Sequence, residues 1–238
     1  MTLLQRPKRE TERIICEQFI ESYFRKKVDI YQLPSDPPDF TFTSDDHEIS
    51  VELTRLIMPQ VKQKEAAQKR IVELAHAKFK STSDLQLRVS VTFSRRGIEY
   101  SNKFMDSQAD EISKNVFRIC QETDDIDSII YKNSKRPFNE YIDTLWVSSL
   151  NKFESWELIN AFRVPHTDNE FIQKQINKKA EKLSSYEKKF DENWLLIASN
   201  LGYLSSAMRF DFIEPNLNRK NFDKIFLYEA RSKEIWQV

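Results

Sequence analysis

Apolar and polar positions alternate in two runs around residue 45, within the stretch Asp36-Pro37-Pro38-Asp39-Phe40 to Glu52-Leu53-Thr54-Arg55-Leu56. Phe40 and Phe42 alternate with Asp39, Thr41 and Thr43. Ile49, Val51 and Leu53 alternate with Ser50, Glu52 and Thr54. A period of two is the strand signature. Ser44-Asp45-Asp46-His47 is the break between the runs, so the pattern predicts a β-hairpin. With Asp45-Asp46 as a two-residue loop, Ser44 pairs with His47, and counting outward sets Asp39 opposite Glu52. Directly opposed side chains share a face, with Cβ atoms ~5 Å apart.

Helical spacing takes over on either side. Residues 9–25 form a first helix, with Ile15, Cys16, Phe19, Ile20 and Tyr23 in one apolar stripe. Glu12 projects onto that stripe, either as a first-turn acid favoured by the helix dipole or as an acid aimed into a cleft. Residues 28–32 read as a short strand, and Gln32 to Pro38 as an extended Pro-rich connection. Pro59 opens a second helix over about 60–80. Val61, Ile71, Val72, Ala75 and Phe79 mark its buried side, with Lys64 and Gln68 near it.

A strand follows at 85–94, a basic turn at Arg95-Arg96-Gly97, and a helix around 105–121 carrying Met105, Ile112, Val116 and Ile119. Glu122 to Asp127 reads as an acidic surface patch, and Lys132 to Pro137 as an exposed loop. Short strands are expected at Thr144–Ser149 and Trp156–Phe162. A long helix over about 168–190 places Ile172, Ile176, Leu183, Tyr186 and Phe190 on one seam. Lys179 falls in that seam, where an apolar residue belongs. It either snorkels to solvent or is held in a site. Lys178, Lys182, Lys188 and Lys189 add basic surface beside it. Trp194 to Ala198 is a buried strand, and Lys224 to Tyr228 is another, paired with Glu234–Val238. This order predicts an α/β sandwich with a mixed sheet. It shows no repeat, no low-complexity linker and no clear domain boundary, so one domain over 1–238 is expected.

Composition narrows the function classes. Thirty-seven Lys and Arg balance thirty-seven Asp and Glu, so bulk charge does not announce a nucleic-acid partner, and such a site needs a local basic surface. Two glycines, Gly97 and Gly202, are too few for a phosphate-cradling loop or a dinucleotide fingerprint. Cys16 and Cys120 fit no metal spacing and read as two reduced thiols. His47, His76 and His166 are scattered, and no spacing supports a zinc site. No apolar run approaches the ~20 residues of a membrane span, and the N-terminal stretch lacks a secretory h-region. A cytoplasmic protein with no membrane partner is the expectation.

The opposed carboxylates carry the chemistry. Asp39 and Glu52 repel each other unless something positive sits between them, and a divalent metal is the usual answer. At this point the sequence resembles the PD-(D/E)XK nuclease superfamily. The resemblance rests on Pro38-Asp39, on Glu52 thirteen residues later, and on Leu53 and Thr54 in the places of the family's X and Lys. A helix before the hairpin, and a crossover helix and strand after it, agree; this core covers residues 9–94. The block from Ile176 to Tyr186, leading into Trp194-Leu195-Leu196-Ile197, is similar to uncharacterised members. It extends the likeness to near residue 200, within the C-terminal helix and strands, 168–238.

The resemblance implies a restriction-endonuclease-like α/β/α core with a central mixed sheet and extra helices. It implies a magnesium-dependent endonuclease, a hydrolase of nucleic-acid phosphodiesters, with DNA ahead of RNA as substrate. Asp39 and Glu52 would hold one or two Mg2+ or Mn2+ ions, with Glu12 matching the acid many members carry on the first helix. A homodimer is a further candidate, because nucleases that cut both strands often pair.

The departure is Thr54. The family's lysine helps activate the water and stabilises the charged phosphate, whereas a threonine hydroxyl can hydrogen-bond a water but carries no charge. Either a lysine arrives from elsewhere or the domain binds without cutting. Lys179 is the candidate for the migrated charge, expected within ~8 Å of both carboxylates. Lys64 and Gln68 are runners-up, and Lys182 is a supporting candidate. A non-catalytic nucleic-acid-binding module and a plain interaction protein remain as alternatives.

Overall fold

In the computed structural model, residues 8–32, 38–94, 99–122, 129–132, 140–149, 153–159, 164–186, 188–202, 204–214 and 216–238 are described. In chain order the elements are α1 (Lys8–Phe24), β1 (Ile30–Tyr31), β2 (Phe40–Ser44), β3 (His47–Arg55), α2 (Pro59–Lys80), β4 (Arg88–Phe93), α3 (Asn102–Glu122), β5 (Ile129–Lys132), β6 (Ile142–Ser148), β7 (Ser155–Leu158), α4 (Asn169–Leu183), β8 (Glu192–Ser199), β9 (Lys224–Glu229) and β10 (Glu234–Gln237). The protein is thus mixed α/β, with four helices among the described residues. They gather into two compact units. One comprises Met1–Met58 together with Val164–Val238, and the other Pro59–Arg163.

The first unit is built on a six-stranded mixed sheet in the order β1-β2-β3-β8-β9-β10. β1, β2 and β3 are antiparallel neighbours, β3, β8 and β9 run parallel, and β10 returns antiparallel to β9. Side-chain alternation sends two sets of residues to opposite faces. Phe40, Phe42, Val51, Leu53, Trp194, Leu196, Phe226 and Tyr228 pack with Ile15, Cys16, Phe19 and Ile20 of α1. Leu195, Ile197, Ile225 and Leu227 pack with Ile172 and Ile176 of α4. The sheet therefore has a helix on each face. Both faces of β8 being covered explains its unbroken apolar run, Trp194 to Ala198, all buried.

The β2–β3 connection follows from two aspartates. Asp45 (φ 50°) and Asp46 (φ 64°) are both left-handed, as a type I′ two-residue hairpin turn requires. Asp tolerates that region better than most residues. The ladder then runs Ser44↔His47, Thr43↔Glu48, Phe42↔Ile49, Thr41↔Ser50 and Phe40↔Val51.

The second unit has a four-stranded sheet, β5-β6-β4-β7. Ile71, Val72, Ala75 and Phe79 of α2 and Ala109, Ile112, Val116 and Ile119 of α3 pack with Leu87, Val89, Val91, Leu145 and Val147. Cys16 is buried and Cys120 half-buried, both as free thiols.

Several boundaries differ from the sequence expectation. The helix expected over 168–190 ends at Leu183. Ser184 Oγ donates to the Glu181 carbonyl and Ser185 Oγ to the Lys182 carbonyl. These hydroxyls satisfy the last carbonyls locally, which competes with continuing the helix. Tyr186 and Phe190 therefore lie beyond the helix and not on its seam. β4 begins at Arg88 and not at 85, and α3 begins three residues early, at Asn102, where Ser101 Oγ accepts from the Phe104 N–H. β5 was not anticipated. The Pro-rich positions 33–37, the Arg95-Arg96-Gly97 turn, residues 123–127 of the acidic patch, 133–137 of the exposed loop and 160–162 of the second short strand lie outside the described residues.

Candidate functional site

The hairpin register positions the first two groups. Phe40↔Val51 is the last ladder pair, and the next step outward is Asp39 beside Glu52. Phe40 and Val51 face α1, so Asp39, Thr41, Ser50, Glu52 and Thr54 face the α4 side. Thr41, Ser50 and Glu52 are buried there. Asp39 does not extend the backbone ladder. Its Oδ2 accepts the Leu53 N–H at 2.8 Å, which fixes the carboxylate at the sheet end.

α4 supplies the opposing charge. The Lys179 ammonium donates to Glu52 Oε2 at 2.7 Å and to Asp39 Oδ2 at 3.0 Å. The Lys179 side chain is 14% exposed, Asp39 18% and Glu52 0%. The distance expected from helical phase is therefore met by direct contact. Lys179 follows Ile172 and Ile176 down the buried side of α4. Where those two meet apolar β8 and β9, Lys179 meets the polar edge made by β2 and β3.

The second oxygen of Glu52 is also engaged. The Tyr186 hydroxyl donates to Glu52 Oε1 at 3.0 Å. Sequence periodicity assigned Tyr186 to the apolar seam of a longer helix. The available signal was the Ser184-Ser185 pair just before it, which ends the helix and turns the ring toward β3. Ser50 Oγ donates to Asn193 Oδ1 at 2.8 Å, completing a polar row on this face.

The charges shift one another. Burial holds the Glu52 carboxyl above its ordinary range; Lys179 opposes that and the Asp39 charge adds to it. For Lys179, burial pulls the ammonium down, but Glu52 and Asp39, by charge and hydrogen bond, together outweigh it and leave it above 10.5. Tyr186 is pushed up by burial first and by the Glu52 charge second, so its hydroxyl stays protonated and donates.

Glu12 on α1 is half-buried, with Lys8 Nζ 3.6 Å from its carboxylate. Burial raises its pKa first, Lys8 opposes, and the Asp39 charge adds while Lys179 lowers it, so Glu12 senses Asp39 and Lys179 electrostatically. Among the described residues no three His, Cys, Asp or Glu side chains form a group that could hold a metal ion. Thr54 is half-buried, two residues beyond Glu52 on the same face of β3. Lys182, one turn after Lys179, lowers the pKa of Glu52 through its charge. Lys64 and Gln68 lie on α2, in the second unit. Gln68 is buried, and its Oε1 has no hydrogen-bond partner among the described residues.

Chemically, the arrangement offers hard carboxylate oxygens from two neighbouring strand positions, a partly buried ammonium between them, and a phenol fixing one acid. None of the family models, curated proteins or solved structures compared with the chain matches it.

Proposed function

We propose that the protein is a divalent-cation-dependent nuclease with a restriction-endonuclease-like core, hydrolysing nucleic-acid phosphodiesters, DNA foremost. The observation that carries this reading is the Lys179 ammonium bridging Asp39 and Glu52. The charge that Thr54 does not supply at the motif position comes from α4. The first unit, a mixed sheet with a helix on each face, is consistent with such a core.

The residues present fit a hard divalent cation. Asp39 and Glu52 give two carboxylates against one ammonium, so the trio carries a net negative charge when both acids are ionised. Oxygen donors of this kind suit Mg2+ or Mn2+. Asp39 and Glu52 would hold the cation, and Glu12 would add negative potential from α1. When bound, such an ion supplies Lewis acidity toward the phosphoryl oxygens and lowers the pKa of a water.

The chain's own residues do the rest. Lys179, with its pKa above 10.5, is a charged donor at neutral pH and not a proton acceptor. It offsets charge that grows on the phosphate oxygens as water attacks phosphorus and the P–O bond to the leaving sugar oxygen breaks. The Thr54 hydroxyl, on the same strand face, can hydrogen-bond a water.

A second reading takes the trio as a structural ion cluster in a non-catalytic binding module. The full burial of Glu52, with both oxygens already hydrogen-bonded, favours it. One experiment separates the two: incubation with single- and double-stranded DNA and RNA in Mg2+ or Mn2+. Cleavage that EDTA stops and Asp39→Asn abolishes supports the nuclease. Absence of cleavage on all four substrates, with no calorimetric Mn2+ uptake, overturns it in favour of the module.

A further inference from the structure

We infer that Tyr186 is a positioning residue for the acid pair, setting the orientation of Glu52 toward a bound cation; this rests on the nuclease reading above. Glu52 is fully buried, and its two oxygens have different donors, Lys179 on Oε2 and Tyr186 on Oε1. A carboxylate held at both oxygens cannot turn about its last bond without breaking a hydrogen bond that solvent, shut off from Glu52, does not replace. Lys179 alone does not fix that plane, because a flexible ammonium can follow a rotating oxygen. The phenol can fix it, because its ring is itself fixed.

Three features immobilise the ring. α4 ends at Leu183, and the Tyr186 N–H donates to the Leu183 carbonyl at 3.3 Å, continuing the turn. The hydroxyls of Ser184 and Ser185 tie the same turn to the Glu181 and Lys182 carbonyls at 3.0 and 2.7 Å. The Phe190 ring then meets Tyr186 edge to face, centroids 6.0 Å apart. Both donors to Glu52 therefore belong to one stretch of chain, α4 and the turn that closes it.

Groups that hydrogen-bond a metal-binding side chain fix its orientation, and losing one typically lowers metal affinity about 10–100-fold. Tyr186→Phe removes the donor and keeps the ring. Phe190→Leu keeps the donor and loosens the ring's packing. The test is calorimetric titration of the full chain with MnCl2 alone, with thermal unfolding of each variant as a second measurement. Tyr186→Phe should weaken Mn2+ binding about tenfold at unchanged stoichiometry. Phe190→Leu should lower the melting temperature and weaken Mn2+ binding by less than Tyr186→Phe does, because the hydroxyl still donates and the turn after α4 still holds the ring. If Tyr186→Phe binds Mn2+ as the wild type does, the positioning role is overturned and the cation reading stands. If Phe190→Leu weakens binding as much as Tyr186→Phe, the effect is packing, and the role is again overturned. If the wild type takes up no Mn2+, the nuclease reading falls and the inference with it.

Discussion

The Leu53 N–H donates to Asp39 Oδ2 at 2.8 Å. Asp39 thus has two tasks on one oxygen, because the same Oδ2 also receives the Lys179 ammonium. Asp39→Asn retains an acceptor for the N–H and loses the charge. Asp39→Ala loses both. Asp39→Ala should cost about 1–3 kcal/mol of stability, the range for leaving a partly buried donor unpaired, and Asp39→Asn clearly less. Both should lose nuclease activity. Denaturant titration beside a cleavage assay checks this, and equal stability losses would show that the N–H contact contributes nothing.

Lys179→Met leaves Glu52 buried without its cation. Breaking a buried pair by removing one partner costs about 3–5 kcal/mol, and the exposures of 14% for Lys179 and 0% for Glu52 place this pair in that class. Adding Glu52→Gln should restore much of the loss, because no buried charge is then uncompensated. A double-mutant cycle in urea measures the coupling; strictly additive losses would contradict it.

The shifted pKa values set opposite pH windows. Lys179 lies above its unfolded value of 10.5 in the folded protein. Its contribution is fully present below 10.5 and is lost as pH rises through the higher folded value. The stability advantage of wild type over Lys179→Met should therefore be flat from about pH 7 to pH 10 and shrink above that. Glu52 is raised above 4.5, chiefly by burial. The folded protein takes that proton more readily than the unfolded chain, so ionising Glu52 costs stability as pH climbs above 4.5. Wild type should lose ground to Glu52→Gln over that rise, as measured by unfolding at stepped pH.

The hairpin turn holds strain at two non-glycine positions. Asp46 has φ 64°, a left-handed conformation that costs an L-residue about 1–2 kcal/mol. Asp46→Gly should stabilise the protein by about 1 kcal/mol and leave the register unchanged. A lowered melting temperature would show that the aspartate side chain is needed in the turn.

The legible parts of the site were those fixed by short-range periodicity. Alternation with a two-residue turn gave the Ser44↔His47 register, and with it the placement of Asp39 beside Glu52. Helical phase gave Lys179, because one lysine on an apolar seam has to meet something polar. The same reasoning also picked Lys64 and Gln68, which lie on α2 in the second unit. Tyr186 stayed hidden because positions 183, 186 and 190 continue the seam arithmetically beyond the real end of α4. The two units are hard to see in the sequence because the second, Pro59–Arg163, interrupts the first along the chain. Its two joins, at Met58–Pro59 and Arg163–Val164, carry no change of composition. β5 was too short and too close to charged sequence to show a period.

That nesting sets an order of events during synthesis. Both acids have been synthesised once residue 52 is made, but Lys179 lies 127 residues later. At about 5–20 residues per second the interval is roughly 6–25 s. The second unit, contiguous over Pro59–Arg163, is complete within it. β3 meanwhile lacks β8, its parallel neighbour, and the carboxylates lack their counter-charge. A nascent chain stopped anywhere in that interval carries both acids and no assembled site. The chemistry proposed for this protein therefore switches on only after α4 has been made.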